Sequence, residues 1–220
     1  TSPRGENWGY LVRDMRPFPL DGDERNLIPG FALYGKDFFE PQKIPLLFDL
    51  IGDREPEKFV IEDIMFPIIR HWVGCFKHFG FLLEPHGQNV LLEVDEIRRI
   101  KRIVHRDLSL GIDMRRRREI RLPDGKLNAY NRMESAEFCS ITYDKYLGGH
   151  FFDRIVACCQ EKYSHLKVED FRKPCRNEFA RVFPDYEKYL PKTICYFSEE
   201  RDQFNKPLFK DTKKPPEWRP

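Results

Sequence analysis

The chain lacks several features that would have settled its class at once. No run of 18 apolar residues occurs in its 220 residues, and a membrane-spanning helix needs about 20, so no span is expected. No charged-then-apolar leader opens it, and the expected location is the cytoplasm. Neither sign of charge dominates. The 38 Lys+Arg against 36 Asp+Glu leave +2, which supplies no global field toward nucleic acid or an anionic membrane. The six cysteines (Cys75, Cys139, Cys158, Cys159, Cys175, Cys195) show no C-x-x-C spacing, and at this chain length they fall far short of a disulfide scaffold, so reduced thiols are expected. No repeat of solenoid period is present. What remains is 40% hydrophobic and 14% aromatic residues, enough to build one sizeable core and to argue against disorder.

Hydrophobic spacing predicts the elements. Residues 7–16 read as a short strand, 17–30 as a loop punctuated by Pro17, Pro19, Gly22, Pro29 and Gly30, and 31–34 as extended. Between 57 and 79, Val60, Ile64, Ile68, Trp72, Phe76 and Phe79 recur every three or four residues, which is one helix face, with a kink expected at Pro67. Phe81–Leu83 leads into a strand over Asn89–Val94, a charged turn over Asp95–Arg99 and a strand over Ile100–His105, read together as a meander. Arg115–Arg118 are expected on a solvated face, before a hairpin turning at Pro123-Asp124-Gly125. Tyr143, Leu147, Phe151, Ile155, Cys159 and Tyr163 mark a helix over 143–163, and 168–183 repeat a weaker version interrupted by Pro174. The closing KKPPEWRP reads as an extended tail. The predicted class is α+β, an antiparallel meander packed by helices with a helical carboxy-terminal part. Residues 1–56 form its strand-and-loop segment and 57–220 the remainder of one compact unit.

The densest chemical signal is Glu84-Pro85-His86-Gly87-Gln88-Asn89, followed one hairpin later by His105-Arg106-Asp107. A carboxylate, an imidazole and an amide precede one strand, and an Arg-Asp pair ends the next, so adjacent strands can bring them to one sheet edge. Hard oxygen ligands suit Mg²⁺, which keeps several waters and is held by one or two side chains plus substrate phosphates. Asn89 and Asp107 therefore make a metal pair, with Arg106 and His86 as donors to phosphate oxygens. Gly87 lets backbone approach a ligand. Read blandly, the same residues are a polar hairpin with an ordinary surface ion pair at Arg106–Asp107. The string Val104-His105-Arg106-Asp107 also looks like a protein-kinase catalytic loop, but that loop needs Asn five places on, where this chain has Ile112.

These residues resemble the pattern of the NRPS-independent siderophore (NIS) synthetases, the IucA/IucC, aerobactin synthetase-like group. The carboxy-terminal half of that family carries Glu-Ala-His-x-Gln-Asn, an apolar strand and then Arg-Asp. Here the pattern is Glu84 to Asn89, Val90-Leu91-Leu92, then Arg106-Asp107, with Pro85 where the family has a small residue. Fainter similarity runs through Gly9–Asp14, Leu27–Tyr34, Leu190–Lys192 and Asn205–Leu208. The resemblance implies a hand-like enzyme holding ATP and Mg²⁺ on a palm. His86 and Arg106 would be catalytic, His86, Gln88, Asn89, Asp107 and Lys192 would bind nucleotide, and Glu84, Asn89 and Asp107 would bind metal. It implies siderophore biosynthesis, in which a citrate-like carboxylate is adenylated and condensed with an amine or alcohol. The partners implied are those small molecules, the amino-terminal half of a synthetase missing before Thr1, and a second copy in a homodimer.

Other residues have plainer readings. His71, Cys75 and His78 share a helix face, but without a fourth ligand packing is expected over zinc. Cys158 and Cys159 are expected in the core. The runner-up functions are a non-catalytic or incomplete nucleotide-binding fragment and a kinase-like phosphotransferase using Asn89 and Asp107.

Overall fold

The computed structural model describes residues 25–107, 111–123, 132–205 and 207–220. The strand expected at 7–16 and the Asp124-Gly125 half of the expected turn lie outside the described residues.

Strand β1 spans Arg25–Pro29, inside the segment expected to be loop, and pairs antiparallel with β3, Val90–Asp95, placing Ile28 opposite Leu92. Pro29 is tolerated because it closes an edge strand, where its missing N–H breaks no ladder. Residues expected to be extended after it form instead a 3-10 turn, Gly30–Leu33, which buries Leu33. β3 turns back into β4, Ile100–His105, as expected, with Val90 opposite His105, and the sheet order is β1-β3-β4.

The helical layer begins with α1, Leu46–Ile51. Next, α2, Pro56–Phe59, starts where the Glu55 carboxylate accepts from the Glu57 and Lys58 amides at 3.2 and 2.5 Å, which satisfies two otherwise orphaned donors. It continues through a π-helical turn, Val60–Met65, into α3, Phe66–Phe79. The widened turn stands where a Pro67 kink was expected and makes room for the ring against the preceding turn. Gly80, in the left-handed conformation at φ 67°, ends the helix. Ile64, Ile68, Trp72 and Phe76 are buried as their spacing predicts. Trp72 meets Tyr143 edge-on at 5.0 Å, and Phe76 meets Phe183 and Tyr189 at 5.3 and 4.9 Å. This face thus packs on carboxy-terminal elements, while His71 on its flank lies toward β4.

Strand β2, Phe81–Leu82, does not join the meander. It pairs with β5, Gly111–Asp113, and β6, Arg132–Met133, runs parallel to β5 in a second small sheet. Within the arginine run only Arg118, paired with Glu134, lies on a solvated face, whereas Arg115, Arg116 and Arg117 do not. The run forms α4, Met114–Glu119, whose N-cap Asp113 accepts from the Arg116 amide at 3.0 Å. Arg116 Nη2 donates to the Lys77 carbonyl at 2.8 Å and Arg117 Nη1 to the Phe79 carbonyl at 2.9 Å. The run therefore caps the carbonyl end of α3, where cations are favoured.

A long helix follows, made of α5, Ala136–Ser140, a π-helical segment, Ile141–Phe152, and α6, Asp153–Lys162. Helix α7, Val168–Val182, is not interrupted at Pro174, because Phe171, Cys175 and Phe179 are fully buried around it and outweigh one lost hydrogen bond. Strands β7, Cys195–Arg201, and β8, Pro207–Asp211, form a hairpin. The tail read as extended has no helix or strand after Asp211 but packs back onto the core, with Trp218 1% and Arg219 2% exposed. The class is α+β, and among the described residues the strands form three small sheets in place of one meander. Among the described residues no helix is long and apolar enough to cross a membrane.

Candidate functional site

Residues 84–90, between β2 and β3, fold on their own polar groups. The His86 carbonyl accepts from the Asn89 and Val90 amides at 2.9 and 3.1 Å, and the His86 amide donates to the Glu84 carbonyl at 2.9 Å. Asn89 is 3% exposed. Its side-chain nitrogen donates to the Glu84 carbonyl at 3.2 Å and lies 3.2 Å from His86 Nε2. His86 Nδ1 accepts from the Gln88 amide at 3.3 Å, and Oδ1 is the hard oxygen that the Asn89 side chain can offer a ligand.

The end of β4 is tied to the same turn. The Arg106 amide donates to the Asn89 carbonyl at 2.9 Å, and Arg106 Nε donates to the Gln88 carbonyl at 2.7 Å. Arg106–Asp107 is thus no free surface pair. Asp107 follows in the left-handed region at φ 70°, a conformation that Asp tolerates better than most residues. Burial pushes the Glu84 carboxyl up, and the nearby Asp107 charge adds to it. Burial also pushes His86 down, helped by His150 and Arg106 and opposed by Asp107. The structure therefore gathers Glu84, His86, Gln88, Asn89, Arg106 and Asp107 around one turn.

Gly87 is required there. A Cβ at this position would stand 2.4 Å from the Tyr34 hydroxyl and 3.0 Å from the Phe31 nitrogen, and the Gly87 carbonyl accepts from the Phe31 amide at 2.8 Å. The 3-10 turn after β1 thereby braces the motif.

Lys192, by contrast, is exposed ahead of β7, and no hydrogen bond or ion pair ties it to the cluster among the described residues. His71, Cys75 and His78 do not converge, for the described residues hold no group of three or more His, Cys, Asp or Glu suited to a metal. The same holds for Glu84, His86 and Asp107, which form no such group among the described residues; the oxygen chemistry of Glu84, Asn89 and Asp107 is nonetheless of the kind that a hard cation keeping its waters takes.

Sequence reasoning missed the opposing wall. Tyr146 on the π-helical segment meets the His86 ring edge-on at 5.9 Å, and His150 lies 5.8 Å from Tyr146. Burial and the Glu84 charge raise the Tyr146 hydroxyl. Burial, Lys145 and Arg154 lower His150. The signal was present as Tyr146, His150 and Arg154 at four-residue intervals, off the stripe of Tyr143, Leu147 and Phe151 that was read as core. Behind the cluster, His105 and His71 lie 6.5 Å apart with both His105 ring nitrogens and His71 Nε2 buried and unpartnered. Burial, with His71 and His86 adding to it, pushes His105 down to about 4.

No family model and no curated protein matches the chain. Solved structures do. It is similar to the petrobactin biosynthesis protein AsbB from Bacillus anthracis str. Sterne at 20% identity and a TM-score of 0.60, over 81% of this chain and 32% of that one. It is similar to the aerobactin synthetase IucC from a hypervirulent pathotype of Klebsiella pneumoniae at 13% identity and a TM-score of 0.62, over 77% and 31%. The ATP-bound aerobactin synthetase IucA from the same source matches at 12% identity and a TM-score of 0.53, over 76% and 30%. The chain spans about a third of the length of these proteins, and what it shares with that third is the fold of siderophore synthetases.

Proposed function

We propose that this chain carries the nucleotide site of a siderophore synthetase, which activates a citrate-like carboxylate with ATP and condenses it with an amine or alcohol. The observation that carries the reading is the gathering of Glu84, His86, Asn89 and Asp107 around one turn in a chain of this fold. Glu84, the Asn89 Oδ1 and Asp107 would hold Mg²⁺, which supplies charge neutralisation at the phosphates. Arg106, fastened by its Nε to the Gln88 carbonyl, presents its remaining guanidinium donors to phosphate oxygens. His86, held down in pKa by burial and by His150 and Arg106 and fastened through both ring nitrogens to the turn, orients the groups around the phosphates. No protein nucleophile is needed, because attack at the α-phosphorus calls for alignment and charge stabilisation.

Adenylation by this chain alone is not part of the proposal, since further donors from an amino-terminal portion would act at the α-phosphorus, and each preorganised donor is worth about a hundred- to a thousand-fold in turnover. The test is chromatographic separation of nucleotide products after incubation with ATP, Mg²⁺, citrate and an amine, with an amino-terminal synthetase portion supplied. AMP and pyrophosphate are expected. ADP would establish the kinase-like phosphotransfer instead, and no turnover under any supply of acceptor would leave a binding fragment.

A further inference from the structure

The residues Glu217–Arg219, in the tail read as extended, form a strap held against the core. Arg219 makes a two-pronged ion pair with Asp144, both contacts at 2.9 Å and both side chains 1% exposed, and donates also to the Pro191 carbonyl at 2.8 Å. Ser140 Oγ donates at 2.6 Å to Asp144 Oδ2, the oxygen that also takes Arg219 Nη2. Trp218 lies on Gly148, where a Cβ would stand 2.6 Å from the indole, and packs edge-on against Phe152 at 5.1 Å. Its Nε1 donates to Asp153 at 3.1 Å, and its carbonyl accepts from the Tyr143 hydroxyl at 3.3 Å. Arg172 and Arg176 hold Glu217 by its carboxylate and its carbonyl, at 2.7 and 2.8 Å.

These contacts fall on one element. Asp144, Gly148 and Phe152, four residues apart, face the strap, and all lie in the π-helical segment Ile141–Phe152. Tyr146 and His150, offset by two, face His86. Phe151 of the same segment touches Tyr34, which braces Gly87, at 6.3 Å between rings. A helix wound over twelve residues in the π form is unusual and needs outside contacts to persist. Returning it to α winding would rotate the strap-facing and site-facing residues together, because both are carried on one backbone.

We infer that Trp218 and Arg219 are positioning residues. By holding Asp144, Gly148 and Phe152 they fix the winding of this segment, and so place Tyr146 and His150 against His86. The inference rests on the contacts alone for the placement of Tyr146, and on the synthetase reading for the consequence in turnover.

The test reads the placement directly. In the full chain without nucleotide, nuclear magnetic resonance is used to follow the cross-peak between the Tyr146 and His86 rings, with the Arg99 amide of the β3–β4 turn, which donates to the Asp95 carboxylate at 2.8 Å, as a control away from Trp218 and Arg219. Three variants are compared, Arg219→Lys, Trp218→Phe and Gly148→Ala, the last of which displaces the indole without altering the strap. The expected result is loss of the Tyr146–His86 cross-peak in Gly148→Ala and Arg219→Lys, partial retention in Trp218→Phe, and an unchanged Arg99 amide resonance. A strap that only stabilises the fold would lower the melting temperature while the folded fraction kept the cross-peak, and that would overturn the inference. Because this readout needs neither ATP nor turnover, its failure is separate from failure of the synthetase reading.

Discussion

Removing the Arg219 guanidinium should be among the most damaging single changes in the chain. In Arg219→Met the alkyl stem is largely kept, but Asp144 loses two hydrogen bonds of 2.9 Å in a site where it is 1% exposed. Leaving one member of such a buried pair unpaired costs about 3–5 kcal/mol, most of it the desolvated charge that remains. Burial already pushes the Asp144 carboxyl up against the pull of Arg219, so without Arg219 it should take up a proton, and the cost should shrink as pH falls. Replacing both partners, as in Asp144→Asn with Arg219→Met, should recover most of the loss, since the uncompensated charge is gone. Urea unfolding of the four proteins of this cycle at neutral and mildly acid pH measures each quantity. A loss under about 1 kcal/mol in the single variant, the range of an exposed pair, would refute the reasoning. So would a double variant no better than the single one.

Trp72 is completely buried between Phe76 and Tyr143, so Trp72→Ala should lower stability by about 3–5 kcal/mol in thermal or urea unfolding. Gly87→Ala should weaken any nucleotide binding while leaving the fold intact, because the added methyl pushes Tyr34 and Phe31 off the motif turn; calorimetric affinity compared with wild type checks it. The nucleotide-free chain should lose stability as pH falls from about 6.5 to about 4. Unfolded His105 takes up a proton near 6.5 whereas the folded one does so only at about 4, which removes roughly 3 kcal/mol across that window. His105→Phe should flatten this slope, as unfolding at several pH values would show.

Elements with one uniform face were legible in the sequence, and elements that depend on a distant partner were not. Ile64, Ile68, Trp72 and Phe76 announced a helix face because the period of burial is local, although its aromatic partners Tyr143, Phe183 and Tyr189 could not be read there. The β3–β4 hairpin was equally local. Phe81–Leu82 looks like the start of that meander, and only Gly111–Ile112, about thirty residues on, decides otherwise. The arginine run read as solvated because its acceptors, the carbonyls of Lys77 and Phe79, carry no side-chain signature. Trp218 and Arg219 read as tail because Gly148 and Asp144, their receptors, lie about seventy residues away. For the site, Glu84 to Asn89 and Arg106-Asp107 could be picked out because a hairpin joins them. Tyr146 and His150 could not, because their spacing placed them on a helix flank whose neighbour was unknown.

The most direct test of the proposed site is calorimetric titration of the chain with ATP, with and without Mg²⁺, in wild type and in Asp107→Asn. Asparagine suits this substitution because it tolerates the left-handed backbone at φ 70° while removing the charge. Binding that requires Mg²⁺ and disappears in Asp107→Asn is the predicted result. ATP binding that is indifferent to Mg²⁺, or unchanged by Asp107→Asn, would contradict a nucleotide and metal site at this turn.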